Sequence, residues 1–548
     1  MMTYLTADPD RAAACRAALR RAAAEGVPAL LLCRETTVFT PGQLDALLAA
    51  AQQAPDAVLF AARVLPYGPE FPCDPVTLET ALAGPDGVLL RTAALTAAGG
   101  FDKRLSGEAM AADLCRRLRG KGGRLLYCPS VTAWDKAADR PGTAQDYVEE
   151  TACAARLSAL YGRRADGVRL LWDTLRAPRH FDGVRRALLT ALPSAAAGLL
   201  CRRAPADARA SADLSDGYGP RLGRCALLPF EEQPLVSVVV RTCGRADTLR
   251  ETLRCLRHQT YQNFEIVLVE DGAPTAQQMV QTEFADLPIR YRATGARVGR
   301  GRAGNLGIGL ARGEYVSFLD DDDFYYPDFI ELHLSYLLHG PREGFVLSGG
   351  MALEADVISR SPYLCSVKKR SPVLFDHITL MDMCVRCRIP VCGGMFRRSL
   401  YDVCGGMRED IDGDEDWAMW LRFWRTAHRT ANAPEITRAV SAFVCPADRE
   451  KAAAREAAYA VFDEQMLADP ELVFDCTAEE IALWQRTVAA DAAHLAALGR
   501  RNELRDEAAK HPQADLPASD APVRQLTAQQ INRYYWYLAA KNAAAAGQ

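Results

Sequence analysis

The chain has 548 residues, of which 49% are hydrophobic and 24% are charged, and its formal net charge is −4. This length exceeds one ordinary domain and predicts about three or four units. The near-neutral charge gives no basis for a nucleic-acid partner, and no apolar run approaches the roughly 18 residues that span a bilayer.

The N-terminus and the cysteines predict a cytoplasmic protein. The first eight residues have neither the basic nor the apolar region of a secretory signal, and the 17 cysteines are scattered and odd in number. We therefore expect reduced thiols. The protein is expected to be soluble, or peripheral at the inner face of the cell membrane.

A basic stretch at residues 154–203 has two readings. Its arginines outnumber its aspartates, and leucines are interleaved with them. Such a segment could lie on an anionic membrane surface. A helical linker whose apolar face packs on a neighbouring domain explains it equally well.

Residues 234–345 alternate strand and helix signals and predict a parallel sheet with right-handed crossovers. Strands are expected at 236–240, 264–269 and 288–293. Helices are expected at 245–258 and near 275–284. Beyond them, the stretch Gly299–Gly307 predicts a glycine-rich turn that opens the next helix.

Four consecutive aspartates, Asp320–Asp323, follow the next apolar strand, Tyr315–Leu319. Adjacent carboxylates repel one another and are costly near a core unless water or a cation neutralises them. A solvated acidic turn is the plainer reading of such a run. Ligands of α/β sheets gather at the carboxyl ends of strands, however, so the position favours a divalent metal site.

The remainder of the chain changes character twice. Around Cys384, Cys387, Cys392 and His377 the cysteine spacing is only partly that of a zinc site, and an ordinary loop is favoured. Beyond residue 446 the chain is rich in Ala and Glu and predicts helices. Two of them should begin at capping boxes, at 477–480 and 527–530.

Residues 235–445 resemble glycosyltransferase family 2, the inverting nucleotide-sugar enzymes with the GT-A fold. Five motifs carry the resemblance in family order over about 210 residues, where any one alone would be weak. The motifs are Ser237-Val-Val-Val-Arg-Thr-Cys-Gly-Arg245, Leu268-Val-Glu-Asp-Gly272, Gly304-Asn-Leu-Gly307, Phe318-Leu-Asp-Asp-Asp-Asp323 and Gly413-Asp-Glu-Asp416.

The resemblance implies a metal-assisted donor site. Asp320 and Asp322 fill the family's Asp-x-Asp motif, with Asp322 the direct ligand of Mg²⁺ or Mn²⁺ and Asp320 nearer the ribose. A divalent cation neutralises the diphosphate leaving group. Nucleotide-sugar contacts are carried over to Thr242, Arg245, Glu270, Asp271, Arg302, Asp320 and Asp321. The Arg302 contact is the least supported, because the family often has arginine where this chain has Gly304.

The resemblance also implies a catalytic base. The acceptor hydroxyl must lose a proton on the face opposite the leaving group. The aspartate of an acidic pair that opens a helix does this in the family, and Glu415-Asp416 fits, so Asp416 is the expected base. Acidic residues in a first helical turn also complement the helix dipole without any catalytic role.

The first 153 residues resemble a second, truncated copy of this domain. Leu90–Phe101 parallels Phe396–Met407, including a Gly-Gly pair. At the base position this alignment gives Met110 or Ala111, and at the Asp-x-Asp position Cys33 and Glu35. The copy is therefore expected to be inactive and to act as a scaffold or acceptor-docking domain.

The sequence thus predicts an α/β protein with four parts: a truncated GT-A-like domain (1–153), a basic helical segment and linker (154–233), a GT-A catalytic domain (234–445) and a helical extension (446–548). The expected function is transfer of a sugar from a nucleotide sugar to a hydroxyl of a glycan, a lipid-linked glycan or a protein. The helical extension leaves a homo-oligomer open. The alternatives are an inactive nucleotide-sugar or glycan-binding scaffold and a nucleotidyltransferase.

Overall fold

The computed structural model describes most of the chain outside the basic stretch. The described residues are 3–9, 12–69, 71–105, 107–138, 222–340, 344–360, 363–373, 378–385, 387, 389–411, 413–427, 435–445, 464–497, 499–516, 519 and 521–545. The predicted basic segment 154–203 lies outside these residues. Within them, no helix is long and apolar enough to cross a membrane.

The N-terminal unit is an α/β layer built on one sheet. Its described strands lie in the order β1-β2-β5-β4-β6-β3. In chain order the elements are β1 (Tyr4–Ala7), α1 (Ala12–Ala24), β2 (Ala29–Leu32), β3 (Thr37–Phe39), α2 (Gln43–Gln53), β4 (Ala57–Leu65), β5 (Val88–Arg91), α3 (Thr92–Ala97), α4 (Gly107–Arg119) and β6 (Arg124–Asp135).

The central unit begins with the predicted alternation of strands and helices, which is confirmed. Its first elements are β7 (Val236–Thr242), α5 (Ala246–Leu256), β8 (Phe264–Glu270), α6 (Gln277–Glu283), β9 (Ile289–Ala293), α7 (Arg300–Leu310), β10 (Tyr315–Asp320), β11 (Asp323–Tyr325) and α8 (Phe329–His339). Every residue of β7 and β8 is buried, as expected for parallel strands that are covered on both faces.

The second half of the central unit completes the sheet with strands of both directions. It comprises β12 (Phe345–Arg360), β13 (Tyr363–Val373), α9 (Leu380–Val385), a 3₁₀ turn (Val391–Gly393), β14 (Gly394–Arg397), α10 (Arg398–Val403), α11 (Glu415–Ala427) and β15 (Glu435–Cys445). The order is β11-β15-β12-β14-β10-β7-β8-β9, with β13 paired to β12. Strands β10, β7, β8 and β9 are mutually parallel. The predicted α/β fold class is confirmed.

The C-terminal region is mainly helical but contains a pair of strands that the sequence did not predict. Its elements are β16 (Val473–Thr477), α12 (Ala478–Ala497), α13 (Arg501–Ala508), β17 (Val523–Thr527) and α14 (Ala528–Ala545). Both predicted capping boxes are confirmed, since Thr477 and Glu480 exchange hydrogen bonds, as do Thr527 and Gln530. Each box lies where an antiparallel strand of the β16–β17 pair passes into a helix.

The glycine-rich stretch 299–307 is not a turn, as predicted, but most of a helix, because α7 already begins at Arg300. Its glycines allow close packing. A Cβ at Gly304 would lie 2.6 Å from Met407 Sδ, and one at Gly307 would lie 2.3 Å from Val239 Cγ1. These spaced glycines bring α7 against β7 and against the segment that precedes α11.

The two sheets share one connectivity. In both, a strand ending before a polar turn (β2, β10) pairs in parallel with the strand on one side (β1, β7) and antiparallel with that on the other (β5, β14). The next strands are again equivalent: β4 and β12, then β6 and β15, then β3 and β11. Counterparts of β8 and β9 are absent from the described part of the N-terminal unit.

The strand register changes which N-terminal residues correspond to the aspartate run. Ala29 pairs with Arg91 and Tyr315 pairs with Arg397, so residues five positions further on, Arg34 and Asp320, are equivalent. By the same count Thr36 corresponds to Asp322. The sequence alignment that placed Cys33 and Glu35 there is displaced by one residue.

The base position shifts as well. Helices α4 and α11 each have 13 residues, and their second residues are Glu108 and Asp416. The loop after the Gly-Gly pair is two residues shorter in the N-terminal unit, which accounts for Met110, whereas the alignment on the arginine, which gave Ala111, differs from the count along the helix by three residues. Those two side chains are buried in the core of that unit.

Candidate active site

Arg241, near the carboxyl end of β7, joins the two acidic motifs of the central unit. It is 6% exposed, and its Nε and Nη2 donate to the carboxylate of Asp320 at 2.8 and 3.1 Å. Its Nη1 donates to Glu415 Oε1 at 2.9 Å. Burial acts to raise the pKa of Asp320, but the ion pair with Arg241 outweighs it and lowers that pKa. One guanidinium therefore fixes the aspartate run relative to the helix that carries Asp416.

Asp321 faces the protein interior, not a ligand. Its side chain is fully buried, and Oδ2 accepts hydrogen bonds from Thr242 Oγ1 at 2.6 Å and Arg245 Nε at 3.1 Å. Burial raises the pKa of Asp321 to about 7, against the opposing charge of Arg245. The predicted donor-contact residues Thr242, Arg245 and Asp321 thus do come together, with Asp321 holding the other two in place.

Asp322 is the most accessible of the first three aspartates, with 41% of its side chain exposed. Within the part of the chain that the structure describes, its one hydrogen-bond donor is Arg245 Nη1, which lies 2.7 Å from Oδ2. This leaves its other oxygen open for a cation, whereas both oxygens of Asp320 are engaged by Arg241. Among the described residues, no three His, Cys, Asp or Glu side chains converge as a metal site, and this includes the region of Cys384 and Cys387; His377 lies outside them.

Asp271 organises the loop ahead of α7. It is 7% exposed, and its carboxylate accepts the backbone N–H groups of Val298 at 2.6 Å and Gly299 at 3.0 Å. The neighbouring Glu270 is 1% exposed and accepts hydrogen bonds from Tyr291 and from Ala276 N. Both predicted donor-site residues lie at the end of β8, but Glu270 shapes the turn from within.

Asp416 occupies the first turn of α11 beside the buried Glu415. Burial, reinforced by the negative charge of Glu415, raises the pKa of Asp416 to about 7, and Arg241 opposes the rise. Its Oδ1 accepts only the N–H of Trp417, at 2.9 Å. A carboxylate that titrates near neutrality is suited to accept a proton from a hydroxyl.

The Gly304-Asn305 motif holds the segment leading to α11. Asn305 Nδ2 donates to Met407 O at 3.0 Å and to Glu409 Oε1 at 2.8 Å, and its Oδ1 accepts the Met407 N–H. Arg302, predicted to meet phosphate, is 59% exposed and paired with Glu409 at 3.0 Å. In this structure Arg302 therefore links α7 to the same segment.

Sequence reasoning missed the bridging role of Arg241. The available signal was a charged residue inside an otherwise apolar strand, Val236-Ser-Val-Val-Val-Arg241. A buried charge is costly unless paired, so partners were implied. The sequence does not identify these partners, because Asp320 and Glu415 are distant from Arg241 along the chain.

Part of the central unit matches a known protein family. Residues 237–404 match the model of glycosyl transferase family 2. An uncharacterized glycosyltransferase of Rickettsia typhi is 29% identical over 195 residues, which are 35% of this chain and 60% of the relative. The putative glycosyltransferase EpsH of Bacillus subtilis is 37% identical over 101 residues, or 18% of this chain and 29% of that one.

Among solved structures, S. aureus TarS 1–349 is 19% identical and has a TM-score of 0.31, with the match covering 38% of this chain and 60% of that one. At this TM-score the structural likeness supports no conclusion about function. The chain spans less than two thirds of the length of the two curated relatives just described. Four of the five motifs lie within residues 237–404, and this region is similar to glycosyl transferase family 2.

Proposed function

We propose that the chain is a metal-dependent, inverting glycosyltransferase that moves a sugar from a nucleotide sugar to a hydroxyl acceptor. The observation that carries this is the Arg241 bridge. It joins Asp320, in the aspartate run, to Glu415, next to the proposed base. A donor-side motif and an acceptor-side motif far apart in sequence are thereby held at one edge of the sheet.

The donor is proposed to bind over the parallel strands β7 and β8. Thr242 and Asp271 lie at their carboxyl ends, where ligands of α/β sheets bind. Asp271 N donates to Thr242 O at 2.8 Å, which ties the two strand ends together. Asp321 and Glu270 support this surface from beneath, and Arg245 lies beside it with 42% of its side chain exposed.

Asp322 is the side chain best placed to hold a divalent cation, since it is accessible and keeps one oxygen open. Mg²⁺ and Mn²⁺ use few protein carboxylates when phosphate oxygens and water complete their coordination. When bound, such a cation would supply charge neutralisation for the leaving diphosphate. Asp320, held by Arg241, contributes charge and position rather than a second open ligand.

Asp416 is proposed to remove the proton of the acceptor hydroxyl as its oxygen attacks the anomeric carbon. Its raised pKa keeps the carboxylate basic enough to take that proton while a useful fraction is ionised near pH 7. Attack on the face opposite the leaving group inverts the anomeric centre, by the same geometry as in inverting glycoside hydrolysis.

The acceptor is proposed to be a glycan, a lipid-linked glycan or a protein, and the protein is proposed to work in the cytoplasm or peripherally at the membrane. Self-association through the C-terminal helices remains part of this proposal. Within the chain, Tyr534 and Trp536 of α14 are already buried, and Asn532 Nδ2 donates to Cys384 O at 2.9 Å.

The test is release of nucleoside diphosphate from a panel of UDP-, GDP- and dTDP-sugars, with and without Mn²⁺. At least one donor should be turned over, and Asp416→Asn should abolish acceptor-dependent transfer. The matched control is Asp402→Asn, an exposed carboxylate of the same unit, which should leave transfer unchanged. Undiminished transfer by Asp416→Asn would reject the assigned base; binding of donors without any turnover would favour the inactive scaffold.

A further inference from the structure

The N-terminal unit contains a cavity at the place where the central unit has its candidate active site. The cavity has a volume of about 140 Å³ and is lined by Arg34 and Glu108. These residues are the counterparts of Asp320 and Asp416 by strand register and by helix position. Both units therefore have a concave site at this place, with an arginine in the N-terminal unit at the position of Asp320.

The cavity wall combines charged and aromatic side chains. Asp86 and Asp135 contribute carboxylates, and Tyr67 and Arg224 lie together with the guanidinium carbon 3.9 Å from the ring centre. Asp86 is held by hydrogen bonds from Arg34 N at 2.9 Å and from Thr37 Oγ1. Asp135 Oδ1 accepts Thr36 Oγ1 at 2.7 Å and Ala137 N at 3.0 Å. The wall is thus fixed by its own contacts.

The lining does not suit a nucleotide or a phosphate. The strands that present Asp271 in the central unit, β8 and the adjoining β9, have no counterpart among the described N-terminal residues. Three carboxylates (Asp86, Glu108, Asp135) face two guanidiniums (Arg34, Arg224), so the charge disfavours an anion. Carboxylates and arginines can instead accept from and donate to hydroxyl groups, and tyrosine offers an apolar face.

The volume of the cavity limits the size of the ligand that it can bind. A closed cavity of about 150 Å³ holds benzene, and this one is of similar volume but partly open to solvent, so it admits the ring of one sugar residue with some of the hydroxyl groups left in solvent. We propose that the N-terminal cavity binds one neutral sugar residue and serves as a docking site for an acceptor glycan. The role of the cavity in docking an acceptor rests on the proposed function, whereas binding of the sugar does not.

The docking site is coupled to the central unit through buried contacts. Arg63 of β4 is 2% exposed and pairs with Glu331 of α8 at 2.5 Å, and Glu331 also accepts Thr260 Oγ1 at 2.6 Å. His258 Nε2 lies 2.9 Å from Val76 O. A glycan held in the cavity is therefore held by a unit that is fixed against the helix following the aspartate run.

The experiment is saturation-transfer NMR on the full chain with free glucose, galactose, mannose and N-acetylglucosamine at about 10 mM, which would fill a site with Kd near 1 mM. At least one sugar should receive saturation. The signal should persist in the presence of excess UDP or GDP and in Asp416→Asn. No transfer to any of the four sugars, or loss of the signal on adding UDP or GDP, would overturn the proposal.

Two variants assign the signal to the cavity. Glu108→Gln keeps the shape and removes one charged acceptor, so it should weaken binding roughly tenfold. Gly84→Leu should reduce the space in the cavity, because Gly84 is part of its lining, and the fold should tolerate it, because a Cβ there would meet no atom within 4 Å. Glu25→Gln, an exposed carboxylate of the same unit, is the control. Thermal unfolding checks that each variant folds, and binding unchanged in both cavity variants rejects the site.

Donor turnover measured on the same preparations separates the two proposals. Turnover without sugar binding leaves the proposed function standing and removes the docking site. Sugar binding in a chain that turns over no donor supports the docking site and counts against the proposed function. Glu108→Gln should not change donor hydrolysis in the absence of acceptor.

Discussion

Replacing Arg241 by methionine tests the bridge on which the candidate site depends. Methionine occupies similar space but leaves Asp320 and Glu415 without their cation. The side chain of Glu415 is 2% exposed and that of Asp320 is 22% exposed, so water can replace the lost cation only in part. Breaking a buried ion pair by removing one partner costs about 3–5 kcal/mol. We expect Arg241→Met to lower the free energy of unfolding by that amount near pH 7.5.

The loss should depend on pH in a defined direction. Arg241 lowers the pKa of Asp320 in the folded protein. Such a carboxylate contributes stability above its unfolded pKa, and the contribution disappears as pH falls through the folded value. The wild type therefore loses this advantage in acid, and the difference between the two proteins should shrink from neutral pH towards pH values below about 4.

The assay is urea unfolding followed by tryptophan fluorescence, because Trp417 and Trp420 lie buried in α11 next to Glu415. Arg241→Lys is the matched control for charge. Lysine keeps the cation but cannot form the forked contact to Asp320 together with the contact to Glu415, so it should recover part of the loss. A destabilisation by Arg241→Met below about 1 kcal/mol that is also independent of pH would refute the reasoning, since it would match an exposed pair.

Three further predictions concern the base, the cation and the packing of α7. Because burial raises the pKa of Asp416 to about 7, the rate of transfer at saturating donor should rise with pH through about 7 and level off above it; a rate that is flat between about pH 5.5 and 9 would contradict the assignment. Removing divalent ions with EDTA should abolish turnover and Mn²⁺ should restore it, with Asp322→Asn raising the Mn²⁺ requirement at least about tenfold and the surface variant Asp286→Asn leaving it unchanged. Gly307→Ala should destabilise the protein by about 1–3 kcal/mol in denaturant titrations, because its Cβ would lie 2.3 Å from Val239. In contrast, Gly309→Ala, whose Cβ would meet nothing within 4 Å, should be neutral or stabilising by up to about 1 kcal/mol; equal effects of the two would show that packing is not the cause.

The parallel half of the central sheet could be read from the sequence because its signals are local. Apolar residues of β7, β8 and β10 are continuous and end at polar turns, and these are the properties that buried parallel strands require. Capping boxes at 477 and 527 are equally local. The prediction of a turn at the start of helix α7 is wrong because glycine normally disfavours a helix. Here glycine is required for close packing against residues such as Met407, which are distant in sequence.

The sequence motifs indicate which residues lie at the candidate site, but they do not indicate what each side chain contacts. Asp320, Asp322 and Asp416 were named from family motifs, and the structure brings the two motifs together through Arg241. Asp321 and Glu270 are predicted donor contacts, but both side chains are buried, because burial is set by the pleat of the strand and its neighbours rather than by residue type. No spacing rule connects Arg241 with Glu415, since their contact depends on how the whole sheet is assembled.

The comparison of the two units shows why alignment by residue identity alone misplaces equivalent positions. The Gly-Gly pair is retained in both, with positive φ at Gly99, Gly100, Gly405 and Gly406, because the backbone there needs a conformation that other residues adopt at a cost. The loop that follows is not under that constraint and differs by two residues, which moved the apparent base position from Glu108 to the core residue Met110. Strand pairing fixes position independently of such length changes. By that criterion the N-terminal unit has an arginine where the central unit has Asp320, and it still has a carboxylate where the central unit has Asp416. The cavity has Arg34 and Thr36 at the positions of Asp320 and Asp322, and its mixed lining of carboxylates and guanidiniums suits an uncharged polyhydroxyl ligand better than a metal-bound diphosphate.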